Sequence, residues 1–177
     1  MDIKFCTACG SPTELKIPKD DDHVRSVCTN CGMVHYGNPK MVVGCIPELN
    51  GEVLLCKRNI EPQKGKWTLP AGYLENGESV QDGAARETRE ETRANVKTIV
   101  PYRLFNIVPV HQIYLMFRAE LISSSFGPTN ESIEVRLFNE KDIPWNDIAF
   151  KSIKKTLEHY FEDRQSGKFP FKIFDIT

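Results

Sequence analysis

No stretch of this chain comes near the run of about 18 apolar residues that a membrane-crossing helix requires, so no membrane span and no membrane partner are expected. The opening residues Met1-Asp2-Ile3-Lys4-Phe5-Cys6 lack the apolar centre of an export signal. An excess of charge is missing too. A formal net charge of −1 and a pI near 6.4 give no electrostatic footprint for nucleic acid or an anionic surface. Internal repeats and long low-complexity segments are also absent, which removes solenoid and tail-like readings. A cytoplasmic protein that binds neither nucleic acid nor membrane is the expectation. What is present suffices for an ordinary core: 177 residues, 40% hydrophobic and 10% aromatic, predict one domain with a small appendage.

The six cysteines divide into a quartet and a pair. Cys6-x-x-Cys9 and Cys28-x-x-Cys31, eighteen residues apart, have the spacing of a four-thiolate zinc site. Gly10 and Gly32 follow the two pairs, where a tight knuckle must turn its amides toward sulfur. Two disulfides would suit a secreted chain, a context that this sequence does not advertise. Residues 1–38 are therefore expected to form a zinc ribbon, too short to fold without its metal. Residues 1–40 hold five basic and five acidic side chains, and four thiolates with one Zn²⁺ add about −2, a poor match to a phosphate backbone. The ribbon's expected role is structural, in packing or in a homodimer. His23 and His35 are expected to make plain polar contacts, because four cysteines already close the site.

Asn38-Pro39 marks the expected start of a second domain over 39–177. Met41–Ile46 and Glu52–Cys56 read as two strands about Asn50-Gly51, a strong hairpin turn. A two-residue turn pairs residues whose numbers sum to 101, which sets Cys45 opposite Cys56 as two buried thiols. Further strands are expected at 67–69, 96–100, 103–108, 112–120 and 135–138, with a C-terminal helix over 147–164. Ile153, Leu157, Tyr160 and Phe161 form that helix's apolar stripe, with Lys151, Lys154 and Lys155 on or beside its outer face. Phe105, Tyr114 and Phe117 are expected in the core. The tail from Phe169 to Phe174 is too apolar to dangle and is expected to pack on the core or a partner chain.

The chemistry concentrates between Gly72 and Ala94. A Gly- and Asn-rich turn leads into a helix expected to start near Ser79, the N-cap, with Asp82 as its box-like partner. At about 100° per residue, Glu87, Glu90 and Glu91 share one face. Like charges at these spacings repel by a few tenths of a kcal/mol per pair on an exposed helix. A hard cation such as Mg²⁺, with oxygen ligands and waters a phosphate can replace, offsets that repulsion. The competing reading is a solvated helix laced with Arg–Glu pairs, and Arg86–Glu90 suits one.

The wider spacing decides between them. Gly72, five residues, Glu78, seven residues, Arg86-Glu87, then Glu90-Glu91 resembles the signature of the Nudix hydrolases, and Gly65–Ala71 resembles the approach to it. Thr88 stands where that pattern has a large aliphatic residue, and Arg93, followed by Ala94, where it has glycine. The resemblance implies an α/β/α sandwich about a mixed sheet and Mg²⁺- or Mn²⁺-dependent hydrolysis of a nucleoside diphosphate derivative. It implies Glu87, Glu90 and Glu91 as magnesium ligands, Arg86 as a supporting residue with Glu78 as a candidate partner, and Glu87, Glu131 or Glu134 as candidates for the base or a further ligand. A ribbon before such a domain is similar to plant plastid FAD and ADP-ribose pyrophosphatases. More distantly it is similar to NADH pyrophosphatases, whose Ser-Gln-Pro-Trp-Pro-Phe-Pro element is absent from residues 98–110. A dinucleotide or ADP-ribose-like substrate is expected. A house-cleaning triphosphatase, a silent binding module and a decapping enzyme are the alternatives.

Overall fold

The computed structural model describes residues 3–177, apart from the side chains of Thr98 and Ile99, so the first two residues of the expected ribbon lie outside it. The chain divides into two compact units, Met1–Pro39 and Lys40–Thr177.

In the first unit, β1 (Thr13–Lys16), β2 (Arg25–Cys28) and β3 (Val34–His35) form an antiparallel sheet in that order. Cys6–Cys9 and Cys28–Cys31 are its two knuckles. Gly10 and Gly32 take φ values of 72° and 74°, a left-handed turn that a side chain would strain.

The second unit is built on an eight-stranded mixed sheet. Its main path uses β4 (Lys40–Leu49), β5 (Glu52–Arg58), β8 (Val96–Ile107), β9 (Gln112–Leu121), β10 (Ser132–Phe138) and β11 (Lys172–Ile176) in the order β10-β5-β4-β9-β8-β11. The short strands β6 (Trp67–Thr68) and β7 (Ala71–Tyr73) pair with β5 and β4. Side chains alternate across the pleat, so β4 and β9 feed two cores. Val43, Cys45, Phe117 and Ala119 pack with Ala84 of α1 (Val80–Thr92). Ile46 and Met116 pack with Ile153, Leu157, Tyr160 and Phe161 of α2 (Lys151–Ser166). Burying each of those four α2 side chains is worth roughly 1.5–3 kcal/mol. The result is the expected sandwich of helix, mixed sheet and helix.

Three local expectations need correction. The turn at Asn50-Gly51 does pair Glu48 with Val53 and Leu49 with Glu52, on the expected sum of 101. Pairing stops there, because β7 takes the β4 edge at residues 42–44 and β6 takes the β5 edge at residues 56–57. Cys45 and Cys56 are therefore not opposite one another. Both are buried free thiols, Cys45 donating toward Ala84 O and Cys56 toward Thr68 O. The two strands expected at 96–100 and 103–108 are the single β8, whose register shifts at Lys97/Val100 and Pro101/Arg103 absorb the proline. Helix α2 starts at Lys151, later than expected. Ile148 bridges Trp67 and the Ala149 N–H donates to Trp67 O at 2.8 Å, which keeps this segment extended. The apolar tail packs on the core, as expected, and does so as a strand: β11 lies parallel to β8 at the sheet edge.

Candidate active site

Helix α1 begins as its sequence dictates. Ser79, in extended conformation, caps it by accepting from the Asp82 N–H at 3.1 Å, and its hydroxyl donates to Asp82 Oδ2 at 2.6 Å. Gly83 lies where a methyl group would stand 2.8 Å from Glu78 Oε1 and 2.8 Å from Leu74 Cδ1. Its cost of about 1 kcal/mol relative to alanine is what lets the preceding loop lie against the helix. The two departures from the Nudix pattern are accommodated. Thr88 is buried and its hydroxyl donates to Ala84 O at 2.8 Å. Arg93 ends the helix at φ 61°, the left-handed conformation for which glycine is suited.

Arg86 ties the site together. Its guanidinium donates to Glu78 twice, at 2.7 and 2.9 Å, to Glu87 at 2.8 Å, to Glu90 at 2.9 Å and to Tyr73 O at 3.1 Å. These bonds hold the Glu78 carboxyl down to about 2. Glu78 is thus the partner of Arg86, joining the loop to the helix.

Glu87, Glu90 and Glu91 line one cavity of about 760 Å³, with Gly72 and Arg86 beside them. Their environments differ. Glu91 is buried, accepts from the Ala71 N–H at 3.1 Å and faces the Cys56 thiol at 3.6 Å. Burial pushes its carboxyl up to about 8. Burial also raises Glu87, against the pull of Arg86, while the Glu90 side chain is exposed. Among the described residues, the groups of three or more whose ligand atoms all lie within 4.8 Å of one another are the four ribbon cysteines and the Asp21, Asp22 and His23 set. The three helix glutamates share the cavity without being drawn that close. Gly72 makes room for them: a Cβ there would lie 2.3–2.5 Å from the carboxyl atoms of Glu87.

The remaining candidates separate clearly. Glu131 lines the cavity, whereas Glu134 pairs with Lys57 at 3.8 Å. Tyr114 and Lys151 line it, while Phe105 and Phe117 are core residues, as expected. Sequence reasoning missed Arg58, Tyr73, Gln112, Phe150 and Ile176, all of which line the cavity. For Arg58 a signal existed, since it ends a strand just before a loop. Ile176 gave none, because the parallel pairing of β11 with β8 is visible only in three dimensions.

Both candidate metal sites pass a chemical test. A hard cation such as Mg²⁺ takes carboxylate oxygens from one or two residues and keeps several waters. The cavity's acidic end, Glu87, Glu90, Glu91 and Glu131, is a donor set of this kind. In the ribbon, Cys6–Cys31, Cys9–Cys28 and Cys9–Cys31 sulfurs are 3.7, 3.5 and 3.6 Å apart. Tetrahedral zinc with bonds of about 2.3 Å sets neighbouring sulfurs about 3.8 Å apart. The Ala8, Asn30 and Cys31 amides each approach a cysteine sulfur at 3.4 Å, stabilising thiolate. His23 pairs with Asp22, and the buried His35 has no partner for Nε2 among the described residues.

An acidic helix opening on a nucleotide-sized cavity in a sandwich of this kind is the arrangement expected of a hydrolase of phosphate anhydrides. Comparison narrows the class to a family. Residues 38–160 match the profile of the NUDIX domain and residues 4–37 that of the Nudix N-terminal zinc ribbon, so the chain belongs to the Nudix hydrolases. A crystal structure of a NUDIX hydrolase from Nitrosomonas europaea is 49% identical, covering 98% of this chain and 99% of its own, with a TM-score of 0.95. A NAD-capped RNA hydrolase from Stutzerimonas stutzeri is 31% identical over 93% of this chain, which spans 58% of that relative's length. An ADP-ribose pyrophosphatase from Methanocaldococcus jannaschii is 31% identical over 62% of this chain and 67% of its own length.

Proposed function

We propose that this chain hydrolyses the diphosphate linkage of a dinucleotide or an ADP-ribose-like molecule, with FAD, ADP-ribose and NADH as leading substrates and Mg²⁺ or Mn²⁺ as the metal. One observation carries the reading: the glutamates of α1 and the glycine-opened loop form the acidic end of a cavity whose volume of about 760 Å³ suits a small molecule of nucleotide size. The relatives named for ADP-ribose and NAD-capped RNA support it.

Glu87, Glu90 and Glu91 would hold the metal, which when bound would neutralise charge at the diphosphate and make a water more acidic. Arg86 fixes Glu87 and Glu90 through the bonds described above, so the carboxylates are oriented before substrate arrives. Glu87 or Glu131 accepts the water's proton. Burial raises the Glu87 carboxyl above its ordinary value, which makes it the stronger base. The oxygen of water joins one phosphorus, the bridging P–O bond breaks, and a dinucleotide yields two monophosphates.

The zinc ribbon has a structural role in this reading, with a homodimer as the assembled form and the cytoplasm as its location. Among the described residues no helix is long and apolar enough to cross a membrane. The names of the relatives favour one further reading, a NAD-like cap on RNA, which presents the same diphosphate. A house-cleaning triphosphatase would instead release inorganic pyrophosphate. The test is a product-resolved screen of FAD, NADH, ADP-ribose, nucleoside triphosphates and NAD-capped RNA with Mg²⁺. Cleavage of a dinucleotide or ADP-ribose to monophosphates, lost in Glu90→Gln and Glu91→Gln, is the expected outcome. Undiminished turnover in both variants overturns the assignment, and turnover of triphosphates alone overturns the substrate class.

A further inference from the structure

The cavity has a floor, and its far end comes from an unexpected part of the chain. Ile176 of β11 pairs with Ile107 of β8, and Ile107 pairs with Gln112 of β9. Tyr114, the next residue on that face of β9, pairs with Val42 of β4, and Val42 with Tyr73 of β7. All six line the cavity. Directly paired residues point to the same side of a sheet, so these side chains form one row crossing five strands. Four strand spacings make the row about 19 Å long. At the β7 end it adjoins Gly72, against which Glu87 packs. At the β11 end it is apolar, with Ile107 and Ile176 side by side.

The strand that closes the row is anchored at several points. Arg103, 1% exposed, donates to Pro170 O at 2.5 Å and to Asp163 of α2 at 2.6 Å. Phe174 stacks on Phe105 at 5.6 Å and on His159 at 4.7 Å. Asn106 donates to Asp175 at 2.9 Å. These contacts make β11 a fixed wall of the cavity.

We infer that β11 is a specificity element: Ile176, with Ile107, builds the apolar end of a subsite that takes a planar aromatic ring of the substrate while its phosphates lie at the acidic end, toward the cation that the glutamates would hold. This rests on the hydrolytic reading only for the phosphate end. A flat ring needs apolar surface on its face and room along the sheet, and this row supplies both. A sugar phosphate without a ring would leave the far end wet.

The test uses monophosphates, which contain no anhydride to cleave. Dissociation constants of AMP, FMN and ribose 5-phosphate are measured by calorimetry on the full chain with Mg²⁺. The better of the two ring-bearing ligands should bind at least tenfold more tightly than ribose 5-phosphate. Ile176→Asp should reduce that preference below threefold, and Ile176→Trp should alter the order of AMP and FMN. Ile176 is only half buried, so both variants should fold. Ile173→Thr, on the same strand at an exposed position, should retain the wild-type preference. Equal binding of the three ligands to the wild type, or an undiminished preference in Ile176→Asp, overturns the inference. If the wild type prefers rings but cleaves nothing in the substrate screen, the hydrolytic reading fails and the subsite stands. If it cleaves dinucleotides and Ile176→Asp keeps its ring preference, only the subsite fails.

Discussion

Replacing Glu91 with glutamine should stabilise the metal-free protein and abolish its activity. Glu91 is buried, and its carboxyl rises from 4.5 in the unfolded chain to about 8 in the fold. A group raised in this way contributes its full stability below pH 4.5 and loses it as pH rises through about 8. At pH 7 the folded carboxyl is still mostly protonated, while the unfolded one has ionised across the interval above 4.5. At about 1.4 kcal/mol per pH unit, that interval weakens the fold by about 3 kcal/mol at pH 7. Glutamine cannot ionise and can still accept from the Ala71 N–H, so Glu91→Gln should escape this loss. For a chain of this size, 3 kcal/mol is a rise of roughly 6–12 °C in Tm. The assay is thermal unfolding from pH 5 to 9, without magnesium, of the zinc-loaded wild type and variant. The gap should widen as pH rises from 5 to 8. Adding Mg²⁺ at pH 8 should raise the wild-type Tm and leave the variant nearly unmoved, because binding to the native state is what stabilises it. A variant no more stable than the wild type at pH 8, or a gap independent of pH, would refute the argument that Glu91 is held as a strained buried acid.

Gly72→Ala should leave Tm within a few degrees, because the atoms nearest the added methyl all belong to the end of the Glu87 side chain; displacing that carboxyl from its bond with Arg86 should lower kcat by about 100-fold, read in the same substrate assay. Gly44→Ala should be the opposite case: its methyl would stand 2.5 Å from Pro70 O and 2.4 Å from Ala71 Cβ, so urea unfolding should show a loss of about 1–3 kcal/mol. Arg93→Gly should stabilise by about 1 kcal/mol, since φ 61° is unfavourable for a residue with a side chain; an unchanged urea midpoint would show that the turn carries no strain. Cys28→Ser should eliminate stoichiometric zinc by mass spectrometry and unfold the ribbon, seen as loss of amide protection over residues 13–35; retained zinc would place the metal elsewhere.

The parts of this protein set by local chemistry were legible in its sequence. Ser79 announced the start of α1, the cysteine spacing announced the ribbon, and Asn50-Gly51 announced its turn, because each is written in short motifs of a few residues. The positions that sequence reasoning misplaced all depend on distant segments. Cys45 and Cys56 separate because β6 and β7 occupy the edges that would have brought them together. The first turn of α2 is lost because Trp67 holds Ile148 and Ala149 extended. The charged pattern of α1 put Glu87, Glu90 and Glu91 on one face, but it could not show that one would be buried and another exposed. That difference arises from Ala71 and Cys56, which enclose Glu91 only in the folded chain.

The edge strand β11 makes selectivity separable from chemistry. Every acid of the site precedes Ser166, whereas the end of the floor belongs to a strand joined to α2 by a short link that is exposed at Gly167 and Lys168. A protease cutting there would spare the glutamates and leave the wall held by its pairing with β8 and its side-chain contacts alone. If the strand then dissociates, the clipped enzyme would become a generalist, still able to split anhydrides and no longer able to choose among them.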